Sequence, residues 1–290
     1  MQLTRKDIAL LAATGGLSAV VLVVANAVLG RNFYAAFLGL VLAFIAAVQI
    51  ITLRKMKLLL QAESVNVVRQ VQALLSLHAA LGLKQPLPAL GGWAITPQDA
   101  TVILSLIKEY RPRRVLELGS GSSSLIVGHA LKAIGQGKSI ALEHDERYSR
   151  ISQENVRNHQ LQDVVEIVHA PLINLKLNKG TWKWYDVSHI PHIENIDLLI
   201  VDGPPGHIQN LSRYPALPML IDKLSDEAVI FLDDAGRPDE KKIVAIWLKE
   251  HLNAGLSIDE SSDEGYVILR KHSSNKSQTA HEALVNSLAL

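Results

Sequence analysis

The sequence predicts an α/β protein: a doubly wound, mostly parallel, seven-stranded sheet preceded by two transmembrane helices. Three features of the chain point there. From residue 96 onward, short apolar runs alternate with helical patterns, the order that gives parallel strands with helices on both faces. A glycine turn, Glu117-Leu118-Gly119-Ser120-Gly121, joins the first of these runs to the helix that follows. Two stretches without a charged residue, Ile8 to Gly30 and Phe33 to Leu53, fill most of the N-terminus.

Composition sets the outer limits. The chain has 290 residues, 48% of them hydrophobic, and a net charge of +1. That balance argues against a nucleic-acid partner, which calls for a basic excess or a basic face. With no cysteine, disulfides, thiolate zinc sites and a cysteine nucleophile are excluded.

At a rise of ~1.5 Å per residue, each N-terminal stretch makes a helix of roughly 30 Å, the thickness of a bilayer's hydrocarbon core. Gly30, Arg31 and Asn32 alone separate them, so residues 1–55 read as a membrane-embedded helical hairpin. Arg5 and Lys6 precede it and Arg54, Lys55 and Lys57 follow. The excess of basic residues at both outer ends places them, and the rest of the chain, on the cytoplasmic side of a two-pass protein, as in a bacterial inner membrane. The competing reading is a signal peptide cleaved near Ala25-Asn26-Ala27. The first apolar run exceeds the usual core of about 7–15 residues, and a second span follows at once.

Residues 56–95 read as a juxtamembrane helix and linker. Leu60, Ser64, Val67, Val71, Leu74, His78 and Leu81 follow steps of four and three, the spacing of a coiled-coil seam. Two readings stay open, a helix lying on the following domain or on the membrane surface, and a homodimer seam. Gly82 to Gly92, with Pro86 and Pro88, is a linker by composition.

In the third region, residues 96–272, Thr96 caps a helix that begins with Pro97 and runs to Tyr110. Strands are expected at Arg114–Leu118, Ser139–Glu143, Val164–Val168, Ile196–Val201, Ala228–Leu232 and Tyr266–Leu269, with a less regular one at Leu256–Asp259. Helices are expected at Ser122–Ile134, Glu146–Asn158, Tyr214–Leu224 and Asp239–Leu252. The polar segment 273–290 reads as a flexible tail. In sheets of this kind ligands bind beyond the carboxyl ends of the strands.

Two glycines two apart let the chain turn sharply, and the next helix aims its free N–H groups into the same space. Glu143, 26 residues beyond Glu117, ends the next strand, where a carboxylate can accept both hydroxyls of a ribose.

Glu117-x-Gly119-x-Gly121, Glu143, and Asp197-Leu198-Leu199-Ile200-Val201-Asp202-Gly203 at the fourth strand resemble successive motifs of class I S-adenosylmethionine (SAM)-dependent methyltransferases, which are Rossmann-like. The resemblance covers roughly Thr96 to Lys271. It implies SAM as cofactor, with Glu117, Gly119, Ser120, Gly121, Ser122 and Ser123 forming the loop against the methionine moiety. By the same likeness Glu143 holds the ribose, His144 and the His169-Ala170-Pro171 segment flank the adenine, and Asp202 borders the cofactor. The family pattern often has a third glycine where this chain has Ser123. A nicotinamide fingerprint would require glycine at Ser124, which counts against an oxidoreductase.

Asp202, and the pair Asp233-Asp234 at the end of the fifth strand, also resemble the magnesium ligands of metal-dependent O-methyltransferases that act on catechols and caffeoyl thioesters, with aspartate for asparagine at the second of the pair. Three converging carboxylates repel unless compensated, and hard oxygen ligands suit magnesium or another divalent cation. The alternative is that Asp202 touches cofactor or substrate directly and Asp233 or Asp234 orders a loop. His207 is a candidate general base and Arg213 a candidate for an anionic or polar substrate. Trp182, Trp184 and Tyr185 form either an acceptor wall or local packing. The expected function is methylation, at oxygen, of a small-molecule, glycan or lipid-linked acceptor. A non-catalytic SAM-binding membrane scaffold and a nicotinamide-dependent oxidoreductase are the other readings.

Overall fold

A computed structural model of the protein describes residues 23–24, 31–177, 180–189, 193–261 and 265–272. The chain divides into two compact units, residues 1–68 and 69–290.

Helix α1 runs from Arg31 to Leu81 and contains a segment long and apolar enough to cross a membrane. The first expected span lies outside the described residues except for Val23 and Val24, which are helical. No break separates the second span from the juxtamembrane helix: between Gly39 and Gly82 there is neither glycine nor proline to interrupt the ladder. The helix stops at Gly82, which takes φ +57° and donates its N–H to the His78 carbonyl at 3.1 Å, a left-handed glycine ending.

Within the second unit, the last turns of α1 bury Leu77 completely among Ile95, Ile103 and Ile107. The expected seam is exposed at Val71 and His78. Leu87 and Leu90 of the linker also pack on this cluster. Helix α2 (Pro97–Tyr110) opens as expected, with Thr96 Oγ1 accepting the Asp99 N–H at 3.2 Å.

The remaining elements are β1 (Arg114–Leu118), α3 (Ser122–Ile134), β2 (Lys138–Glu143), α4 (Glu146–Asn158), β3 (Val165–His169), β4 (Leu172–Leu177), β5 (Gly180–Tyr185), β6 (Ile196–Val201), α5 (Ala216–Leu220), β7 (Leu224–Asp233), α6 (Pro238–Glu250), β8 (Leu256–Ser261) and β9 (Tyr266–Lys271). Seven strands form one sheet in the order β3-β2-β1-β6-β7-β9-β8. The first five are parallel; β9 runs antiparallel to β7 and to β8. This is a doubly wound, Rossmann-like arrangement. Strand order reverses between β1 and β6, which makes their carboxyl ends the switch point of the sheet.

Both faces are covered, so strand residues alternate between two cores. Val115, Leu198, Ile200, Val229 and Phe231 join α2 and α3 on one side. Leu116, Leu118, Leu199, Val201 and Ile230 join Trp184, Trp247 and Leu217 on the other.

Two expectations are corrected. The helix expected over Tyr214–Leu224 shrinks to Ala216–Leu220 and a 3₁₀ turn at Ile221–Lys223, because β7 already begins at Leu224, paired with Ile196. The stretch around Trp182, where no strand was expected, is a separate antiparallel hairpin of β4 and β5.

Leu77→Ala should destabilise the second unit by about 2–5 kcal/mol, the usual cost of truncating a fully buried leucine, in denaturant melts of the full chain. Leu75→Ala, at 64% exposure, should change little. Equal effects would contradict the docking of α1 through Leu77.

Candidate active site

At the end of β1 the chain turns at Gly119, which adopts φ +105°, a region closed to most side chains. A Cβ there would stand 3.5 Å from the Gly203 nitrogen, so the turn lies against the end of β6. Gly121 caps α3, and a Cβ placed on it would meet nothing within 4 Å. That leaves an open approach to the backbone at the helix N-terminus.

Glu117 lies inward of this loop with no exposed surface. Its carboxylate accepts a close hydrogen bond from the Ser123 hydroxyl and one of 3.0 Å from Ser124. Burial pushes its pKa up to about 7, against those two bonds, with Glu143 adding to the rise. Glu117 therefore braces the loop from inside, and the Ser123 hydroxyl is turned inward to it. Ser124 also accepts the Gly121 N–H at 3.3 Å; a glycine there would have no hydroxyl to give.

Glu143 ends β2. One carboxylate oxygen accepts the Asp145 N–H at 2.9 Å and faces His144 Nδ1 at 3.0 Å. The other faces the Ser120 N–H at 3.3 Å and the Ser120 hydroxyl at 3.2 Å. That hydroxyl also lies 2.8 Å from Ser152 Oγ, and its single proton cannot serve both. Burial alone would raise the Glu143 pKa; the bonds from His144, Asp145 and Ser120 outweigh it and hold it below the usual value. At neutral pH the group is an ionised, acceptor-only carboxylate. Ala170 is buried and ties β3 to β2 through its N–H to the Glu143 carbonyl, at 2.8 Å. Ser122 contacts the Ala89 carbonyl at 3.5 Å, which brings the linker against the loop.

The ends of β6 and β7 bring Asp202, Asp233 and Asp234 together, with carboxylate oxygens within 4.8 Å of one another. The expected convergence is present, and so is a cation. The guanidinium of Arg213 lies among them, donating to the Asp202 and Asp233 carbonyls at 2.7 Å each, to Asp202 Oδ1 at 3.1 Å and to Asp234 Oδ2 at 2.9 Å. Arg237 reaches the same Asp234 oxygen at 2.7 Å. Arg213 is 2% exposed, so its charge is not free to bind an anionic substrate. Burial works against its charge, and Asp202, Asp234, Asp233 and Glu240 more than offset it, so its pKa is raised. A divalent ion ~5 Å from this guanidinium would be repelled by about 7 kcal/mol at an effective dielectric constant of ~20. Two of its three prospective ligands are already bonded to arginine, so the trio as built does not fit a divalent metal.

Asp202 has a raised pKa, from burial first and then from Asp233, Asp234 and Glu117, with Arg213 opposing. Asp233 is pushed up to about 6 by burial, Asp234 and Asp99. Asp99, on α2, is a carboxylate beside the site that no sequence motif marked. Tyr185 also reaches the end of β6. Its hydroxyl is buried without a hydrogen-bond partner, and a Cβ on Gly203 would fall 2.2 Å from it. Trp184 and Tyr185 belong to the core, and Trp182 packs on Tyr214 with ring centroids 4.9 Å apart, so these aromatics are packing. His207 is exposed on the loop after Asp202, edge-on to Trp93 with centroids 5.6 Å apart.

A glycine turn, an ionised acid on the neighbouring strand and an aspartate across the switch point meet at the carboxyl ends of β1, β2 and β6, where sheets of this kind bind ligands. Residues 116–235 match the model of a family described as a methyltransferase domain. Among solved structures, the chain is similar to an O-methyltransferase from Bacillus cereus in complex with SAH, at 17% identity over 70% of this chain and 90% of that one, with a TM-score of 0.48. It is also similar to an SAH-bound methyltransferase from Podospora anserina, at 16% identity over 69% and 87%, TM-score 0.49. A third is the O-methyltransferase TomG from Streptomyces achromogenes, in complex with SAM, at 15% over 70% and 89%, TM-score 0.47. No curated protein matches the chain.

Glu117 titrates near the ordinary 4.5 when unfolded and near 7 when folded. Its protonation therefore favours the fold fully below pH 4.5, and that advantage is lost progressively as pH rises to about 7. At ~1.4 kcal/mol per unit the ceiling is about 3 kcal/mol. Glu117→Gln should gain stability over the unaltered chain between pH 4.5 and 8, by about 1–3 kcal/mol in paired melts. A pH-independent difference would contradict the buried acid.

Proposed function

We propose that the chain transfers the methyl group of SAM to an oxygen of a small-molecule, glycan or lipid-linked acceptor at the cytoplasmic face of a membrane. The observation that carries this reading is the pairing of an open Gly121 with the ionised Glu143 across Ser120. Gly119 to Ser122 would hold the methionine end of the cofactor, Glu143 would accept its ribose hydroxyls in place of the Ser120 hydroxyl, and His144 and Ala170 would border the adenine. Bound there, SAM would supply the methyl group. The acceptor would approach from the Asp202 side, and His207 or water would take the proton that its hydroxyl loses. Asp202 orients the hydroxyl. Methyl transfer from a sulfonium needs little covalent help, so positioning carries the rate.

Replacing Glu143 by Gln removes a charged acceptor, a loss of about 1.5–3 kcal/mol, and should weaken SAH binding to the full chain by roughly 10–100-fold. Unchanged affinity in a folded variant would contradict the ribose role.

The membrane address rests on the apolar segment of α1 and on the charges that flank residues 8–53. The chain has no cysteine, so single thiols can report topology without background. Asn32→Cys and Lys84→Cys should react with an impermeant maleimide from opposite faces of the membrane. Reaction from the same face would contradict the two-pass hairpin.

A further inference from the structure

We infer that Arg213 is the resident cation of the carboxylate cluster at the ends of β6 and β7, standing in for a divalent metal and fixing Asp202 without one. What Asp202 does next rests on the methyltransferase reading; the identity of the cation does not.

Four bonds support the assignment. The guanidinium donates to the carbonyl of Asp202, just past β6, to that of Asp233, the last of β7, and to the carboxylates of Asp202 and Asp234. It thereby ties together backbone and side chains that a metal would tie through side chains alone. The segment carrying Arg213 is pinned on both sides by α6. The Leu211 N–H donates to Asp239 Oδ2 at 3.0 Å, and Trp247 Nε1 donates to the Tyr214 carbonyl at 2.8 Å. With its side chain 3% exposed, Arg213 cannot swing out to admit an ion. Arg237 adds a second guanidinium on Asp234 from the solvent side. A guanidinium stays charged throughout the physiological range and donates in a fixed planar fork. The cluster thus keeps its positive charge whatever the metal supply. Arg213 is a positioning residue: it acts on the acceptor only through Asp202.

The test is manganese binding to the full chain in detergent, read by electron paramagnetic resonance. The unaltered protein should leave millimolar manganese free. Arg213→Gln should gain one saturable site at least tenfold tighter than any in the unaltered chain, and adding Asp234→Asn should remove it. A saturable site in the unaltered protein that Asp234→Asn abolishes would overturn the inference, as would a folded Arg213→Gln that gains none. If Arg213→Gln does not fold, melting of the unaltered chain decides. A melting temperature indifferent to manganese supports the inference, and a rise that Asp234→Asn cancels overturns it. SAH binding in excess chelator should equal that without it; absence of SAH binding under both conditions would count against the methyltransferase reading and leave the cation assignment standing.

Discussion

Glu117, next to last in β1, has its carboxylate sealed from water and bonded to the hydroxyls of Ser123 and Ser124. A buried acid in that position is costly unless it is protonated or well bonded, and the two serines belong to the first turn of the next helix. The contact therefore fixes where the strand stops, how the loop turns and where α3 begins. Everything else at the site hangs from that loop. Gly119 lies against the end of β6, Ser120 reaches Glu143 on β2, and Gly121 is left open where a ligand can approach. Loosening the brace would move three strand ends relative to one another.

The acceptor side is organised by a different economy of charge. Asp202, Asp233 and Asp234 arrive from two strand ends and would repel, yet Arg213 joins them from a loop with almost no exposure. Buried pairs of this kind add little net stability, because desolvation offsets attraction, but breaking one leaves a stranded charge. Their contribution here is geometric: the guanidinium holds the carbonyl ends of β6 and β7 in register and aims one aspartate. The raised pKa of Asp202 and Asp233 follows from the same crowding.

The strands and the glycine turn were legible because each is written in local sequence. Leu116 and Leu118 face one core and Val115 the other, which produces the unbroken apolar runs of a sheet buried on both faces. The hairpin was missed although its signal was present. Ile173-Asn174-Leu175-Lys176-Leu177 and Trp182-Lys183-Trp184 alternate with period two around Gly180. Arg213 could not be read. Its partners lie 11, 20 and 21 residues away, and nothing in Ser212-Arg213-Tyr214 announces a buried guanidinium. The orphaned hydroxyl of Tyr185 was equally hidden, since it depends on the close approach of Gly203 from another strand end. Helix α1 runs unbroken through Arg54 and Lys57, where the pattern changes from apolar to amphipathic and the backbone has neither glycine nor proline to stop it.

The central claim is that the braced loop and Glu143 form a site for a sulfonium nucleoside. Calorimetric titration of the full chain in detergent with SAM, SAH and NAD tests it most directly. The account predicts micromolar binding of SAM and SAH with one site per chain and no heat from NAD. Binding of NAD in preference to SAM, or silence from all three with a folded protein, would contradict it.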